Sequence, residues 1–178
     1  MKRLVAAIFA LLVVAGATVL PAHAQTTQTS QTTKKSQTAK KSHATKKSHP
    51  VVIVDLKPSN EKLAVSLAAQ VTKAKAMGLK PFVEFSAGWC PPCRALKASL
   101  ESHNALMMKA FAGTYIIRMD SDAWGSKLGG TGFSVNAIPV FYALDGKGKP
   151  TGRSIDGGAW GDNTPENMAP PLSAFFKH

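Results

Sequence analysis

The chain holds two cysteines, Cys90 and Cys93, in the stretch "VEFSAGWCPPCRALKASLE", separated only by Pro91 and Pro92. Thiols at this spacing can cross-link the chain, supply half of a metal site, or exchange disulfides with another molecule. The stabilisation from a cross-link grows with the loop it closes, and this pair closes almost none. A zinc site needs about four ligands, yet there is no second cysteine pair, His103 lies a few turns along, and His43 and His49 fall in a polar N-terminal stretch. Exchange chemistry is the reading the spacing favours.

That chemistry depends on where the pair sits. "PFVEFSA" from Pro81 to Ala87 reads as a strand, and the segment from about Pro92 to Lys109 as a helix carrying Leu96, Leu100 and Met107. Cys90 precedes a proline, which biases it out of the helical region, whereas prolines are tolerated in a first helical turn, where their missing N–H would be unpaired anyway. The Cys90 sulfur is thus expected over a helix N-terminus, where the dipole and free N–H groups favour the thiolate. Cys93, one turn inside, is expected to be shielded and within reach of Cys90. Pro91 and Pro92 each remove one N–H donor, and no histidine lies between the cysteines. Arg94 offsets part of this loss if its side chain turns toward the sulfur. A less stabilised thiolate predicts a more reducing couple than that of a strong disulfide donor.

The remaining sequence supplies strands and helices in alternation. "VVIVDL" at 51–56 reads as a strand, and Pro58-Ser59-Asn60 offers capping residues for a helix presenting Leu63, Leu67, Val71 and Ala74 on one face and ending at Gly78. "TYIIRMD" at 114–120 is the next strand, followed by a glycine-rich loop around 129–132. "PVFYALDGKGKPTGRSID" reads as a hairpin turning at Asp145-Gly146, and a last helix covers about Pro165 to Phe176. Two crossover units followed by a hairpin and a helix predict an α/β fold with a central mixed sheet flanked by helices. Met107 and Met108 read as core filling and helix surface; Trp124 and Trp160 read equally as packing residues or as a rim to the site.

With these elements in place, the chain resembles the thioredoxin superfamily over roughly Pro81 to Trp160, and more loosely over 51–178. The matching residues are "WCPPC" at 89–93, Glu84 six positions before Cys90, Ile138-Pro139 opening "PVFYAL", and Gly157-Gly158 after the following strand. The resemblance implies a thioredoxin-like fold, thiol:disulfide oxidoreductase activity, and no cofactor or metal beyond a redox-active Cys90–Cys93 disulfide. It implies a cis Ile138–Pro139 bond beside that disulfide, with Trp89, Ile138 and Pro139 meeting the substrate chain. It further implies that Glu84, which alternation alone would leave facing solvent, is buried beneath Cys93 with a raised pKa and moves protons to and from that thiol. The sequence departs from the family at Ser86, where tryptophan is frequent, and at Val140, where threonine is common. The loop before Ile138 is a few residues longer, and the Gly-x-Pro-Glu-Thr signature of many cytochrome c maturation thioredoxins is missing.

The N-terminal quarter carries no core. Lys2 and Arg3, an apolar run from Leu4 to Leu20, and Ala22-His23-Ala24 read as a secretory signal peptide spanning 1–24, with a retained membrane anchor as the competing reading. Export to a bacterial periplasm or beyond would suit disulfide chemistry. Residues 25–50, rich in Lys, Ser, Thr, Gln and His, read as a disordered linker whose lysine pairs recur at 34–35, 40–41 and 46–47. It is a spacer, or a tail that adheres weakly to anionic surfaces. Of the 22 Lys and Arg, residues 51–178 keep 14 against 10 acids, with no basic stripe interleaved with aromatics of the kind specific nucleic-acid binding uses. Expected partners are protein thiols and disulfides of the envelope and an electron-donating or accepting redox protein. A non-catalytic peptide-binding module tethered by the basic tail and a metallochaperone are the alternative functions.

Overall fold

The computed structural model describes residues 49–178. The expected signal peptide and nearly all of the expected linker lie outside the described residues. Five strands and five helices follow in the order β1 (Val52–Asp55), α1 (Leu63–Ala76), β2 (Lys80–Ser86), α2 (Pro91–Glu101), α3 (Ala105–Phe111), β3 (Thr114–Asp120), α4 (Ser121–Trp124), β4 (Val140–Leu144), β5 (Pro150–Asp156) and α5 (Pro165–Lys177). Short 3-10 turns at Gly125–Lys127 and Gly157–Ala159 follow α4 and β5. Among the described residues no helix is long and apolar enough to cross a membrane.

The strands form one mixed sheet in the order β1-β3-β2-β4-β5. β1, β3 and β2 run parallel, whereas β4 runs antiparallel to β2, and β5 to β4. Side chains alternate across the sheet, so each strand feeds two cores. Val83, Phe85, Ile117, Met119 and Tyr142 pack with Leu63, Leu67 and Ala74 of α1. Phe82, Ile116, Phe141 and Ala143 pack with α2, α3 and α5 on the opposite face. The second core is aromatic at its centre, with the Phe176 ring 4.8 Å from those of both Phe82 and Phe111.

Two sequence expectations are corrected, and the hairpin turning at Asp145-Gly146 is found. The helix expected over 92–109 is two helices, because His103 takes a left-handed φ of 53° and Asn104 caps a new start. The Asn104 side-chain oxygen accepts the N–H groups of Leu106 and Met107 at 3.0 and 3.3 Å, replacing partners that a helix start lacks. α1 begins later than Pro58-Ser59-Asn60 suggests; Ser59 Oγ accepts the Glu61 N–H in a local turn, and the N-cap position falls to Lys62. The β4–β5 connection spans Asp145 to Lys149, closed by the Asp145 N–H on the Lys149 carbonyl at 2.8 Å. Its essential glycine is Gly148, at φ +85° against the backbone of Leu67 and Ala68, where an added Cβ would lie 3.0 Å from both. Just before β1, the Pro50 carbonyl accepts the Gly113 N–H at 3.1 Å.

Candidate functional site

The β2–α2 junction places the cysteines. Seven residues of β2 end at Ser86, a short turn passes Trp89, and α2 begins with Pro91 and Pro92 in its first turn and Cys90 as its N-cap. Cys90 and Cys93 form a disulfide with their Cα atoms 5.3 Å apart. With both proline nitrogens lacking hydrogen, the Cys93 N–H is the donor that reaches the Cys90 sulfur, at 3.2 Å. Cys93 is shielded as expected, and in this oxidised state Cys90 is shielded as well: both cysteines are 2% exposed. Ala87 and Ile138 pack over the pair.

The loop after β3 brings in the other wall. The Ile138–Pro139 peptide bond is cis, and the Ile138 carbonyl oxygen lies 3.6 Å from the Cys90 sulfur. Pro139 is held in turn by the exit of β5, where the Gly157 N–H donates to the Pro139 carbonyl at 3.1 Å. Trp89 is 63% exposed, yet its indole N–H donates to the Asp122 carboxylate at 2.7 Å. Asp122 belongs to α4, whose start is capped by the Asp120 side chain. A groove of about 540 Å³ runs from Trp89 and Asp122 past Leu128, Phe133 and Val135 to Ile138. Trp124 and Trp160 do not rim the site; they are 3% and 6% exposed, their indoles donating to the Leu56 carbonyl and the Asn163 side chain.

Glu84 is 1% exposed. It lies on the same sheet face as Phe82, the face covered by α2. The parallel register sets it opposite Arg118, whose Nε–H donates to Glu84 Oε2 at 3.0 Å, while Oε1 has no hydrogen-bond partner among the described residues. Burial pushes the Glu84 carboxyl above the ordinary carboxylate range; the Arg118 charge and hydrogen bond pull it part of the way back, and Asp55 pushes it up again. Arg118 and Cys93 line one cleft of about 870 Å³, together with Ser86, Arg94, Lys97 and Asp120. Arg94 is exposed on the rim of that cleft.

Two residues of this arrangement escaped the sequence reading. Arg118 had a legible signal, a charge inside the apolar run "TYIIRMD". Asp122 had none, because its approach to Trp89 depends on how the segment after β3 folds back. Among the described residues no group of three or more His, Cys, Asp or Glu side chains lies together in a way that could hold a metal ion.

Residues 66–163 match the family described as Thioredoxin. The chain is 30% identical over 111 residues to the thiol:disulfide interchange protein TxlA of Synechococcus elongatus, covering 59% of this chain and 55% of that protein. It is 33% identical over 76 residues to thioredoxin H-type of Oryza sativa subsp. indica, covering 43% of this chain and 57% of that one. The chain therefore spans a little over half the length of these curated relatives. Among solved structures, Fasciola hepatica thioredoxin is 20% identical with a TM-score of 0.43, over 63% of this chain and 93% of that one. A sheet with a vicinal cysteine pair at the head of α2, together with a family match over more than half of its residues, makes this chain a member of the thioredoxin family.

Proposed function

We propose that the protein is an exported thiol:disulfide oxidoreductase that reduces or isomerises disulfides in envelope proteins. The observation that carries this reading is the Cys90–Cys93 disulfide at the N-terminus of α2, with the Cys93 N–H on the Cys90 sulfur and the Ile138 carbonyl beside it. In the reduced protein the Cys90 thiolate attacks one sulfur of a client disulfide. A Cys90–client bond forms, the client bond breaks, and the released client thiolate takes a proton from water. Cys93 then gives its proton to the Glu84 carboxylate and attacks Cys90. The Cys90–Cys93 bond forms as the second client thiolate leaves, so two electrons have passed from the protein to the client.

The direction follows from the helix start. With Pro91 and Pro92 in the first turn, the donor left for a Cys90 thiolate is chiefly the Cys93 N–H, which makes the reduced form less stable and the couple more reducing. Such a protein, once carried to an oxidising compartment by the Leu4–Leu20 segment, needs an electron-donating partner to restore its dithiol. Trp89, Ile138 and Pro139 are the residues against which the client backbone would lie.

The reading is tested by exchanging each cysteine for serine in cells. Cys93→Ser is expected to accumulate client adducts on Cys90, recovered by mass spectrometry, and Cys90→Ser is expected to trap few. The opposite pattern reverses the two roles. Failure of the wild-type protein to accelerate insulin reduction by dithiothreitol would leave the peptide-binding alternative. An equilibrium with glutathione near the oxidising end of the family's range would make the protein a disulfide donor instead.

A further inference from the structure

We propose that the end of the molecule opposite the disulfide is a basic docking face for anionic lipid bilayers. The parallel strands define the two ends. β2 and β3 start in register at Lys80 and Thr114 and finish at Ser86 and Asp120, and β1 runs beside β3 from Val52, opposite Tyr115, to Asp55, opposite Arg118. At about 3.3 Å per residue, the run of β2 sets its start roughly 20 Å from the end that leads to the cysteines. Around that start, His49, Lys80, Lys109 and Lys177 line one groove of about 280 Å³ with no acidic side chain in its wall. All four are exposed. Gly78 shares the groove and follows the last turn of α1, which carries Lys73 and Lys75. Lys75 reaches the Gly146 carbonyl at 3.0 Å, which ties in the β4–β5 turn and Lys147. The acid of this turn, Asp145, is engaged by the backbone N–H groups of Lys147 and Lys149 at 2.8 Å. Asp55, Asp120 and Asp156 instead end β1, β3 and β5 at the disulfide end.

Several of these lysines have a local reason to be there. Lys73, Lys75, Lys109 and Lys177 sit in the last turns of α1, α3 and α5, where a cation complements the helix dipole. Lys80, at a strand start, also answers a helix end, its Nζ donating to the Lys177 carbonyl at the close of α5 at 2.6 Å; Lys147, in a turn, has no helix end to complement. The topology gathers all of them at one end. Lys46 and Lys47 lie within three residues of His49, and the stretch from Gln25 to Pro50 carries six lysines and no acid. The chemistry suits lipid better than nucleic acid. Every cation named is lysine, a compact charge that serves a diffuse anionic surface without the planar fork used for specific phosphate contacts. Among the described residues the one exposed Trp, Tyr or Phe is Trp89, beside the disulfide, and the phenyl ring in the basic groove, Phe176, is buried, which leaves the His49 imidazole as its one exposed ring. The basic face also offers Met77, 52% exposed at the end of α1, an apolar side chain able to enter a headgroup layer. Docked this way, the protein presents its cysteines away from the bilayer.

The test is co-sedimentation of the full chain with phosphatidylcholine vesicles that contain phosphatidylglycerol, against phosphatidylcholine alone. The apolar N-terminal run contributes to both, so their difference reads the electrostatic part. We expect an anionic preference lost at high salt and reduced roughly tenfold by Lys109→Gln with Lys177→Gln. The pair Lys57→Gln with Lys97→Gln, the same charge change beside the disulfide, should leave it within about twofold. Lys80→Gln with Lys147→Gln, neither of them in a helix, should repeat the loss, with unaltered melting curves securing the fold. Alkylation of the reduced cysteines by iodoacetamide should proceed at the same rate with and without anionic vesicles. The proposal is overturned by an absence of anionic preference or by equal losses from the two ends. It is equally overturned by vesicles that block alkylation, or by a dependence on Lys109 and Lys177 seen with duplex DNA but not with vesicles.

Discussion

Glu84 and Arg118 are the pair through which the interior meets the disulfide. A carboxyl whose native pKa is raised holds its proton to higher pH than the unfolded chain does. The stability this gives the native state is complete below the ordinary carboxylate range and is lost as pH rises through the native pKa. Glu84→Gln removes that dependence. Its melting temperature relative to wild type should therefore be higher at pH 8 than at pH 4, each unit of native shift being worth ~1.4 kcal/mol. A flat difference across that range would mean that Glu84 is not buried as a titrating group. Arg118 opposes the shift through a 3.0 Å bond. Arg118→Met should move the pH dependence of mixed-disulfide resolution upward, and Arg118→Lys by much less. Stopped-flow resolution measured across pH reads both. Glu84 was legible only through its spacing to Cys90; alternation along β2 could not say that helices cover both faces of the sheet.

At the scale of elements, periodicity located every strand and misjudged several ends. The break between α2 and α3 falls in Ser102-His103-Asn104, where apolar spacing continues smoothly and only the capping chemistry of Asn104 marks the new start. The β4–β5 connection shows a different limit. Asp145-Gly146 carries the familiar turn pair, but the contact that fixes the loop is between Gly148 and α1, far away in sequence. Gly148→Ala should therefore cost about 2 kcal/mol or more, from a left-handed φ together with a backbone clash. Gly146→Ala, at ordinary φ and against only the tip of Lys75, should cost much less. Urea unfolding of the two variants decides this, and equal losses would contradict the assignment.

For the whole molecule, the boundary of the fold is itself a prediction. Pro50 gives its carbonyl to Gly113, at the turn between α3 and β3. A chain beginning at His49 should melt within about one degree of one beginning at Gln25, because residues 25–48 bring no apolar face to bury. A chain beginning at Val51 should melt lower, by an amount matching the loss of one hydrogen bond, about 1 kcal/mol. Calorimetry of the three chains checks the order; a fall of several degrees on removing residues 25–48 would show that this stretch docks on the fold.

The sequence by itself determined the class of fold, the position of the cysteine pair at a strand-to-helix junction, and the loss of N–H donors at Pro91 and Pro92. These are local matters of side-chain type, apolar period and proline geometry, which neighbouring residues settle among themselves. Tertiary structure decided that Ile138 covers Cys90, that Arg118 answers Glu84, that Asp122 holds Trp89, and that the lysines ending α3 and α5 share one groove. Each of these joins residues 15 or more positions apart in sequence. Their meeting depends on strand order and crossover direction, which set distances that no local pattern encodes.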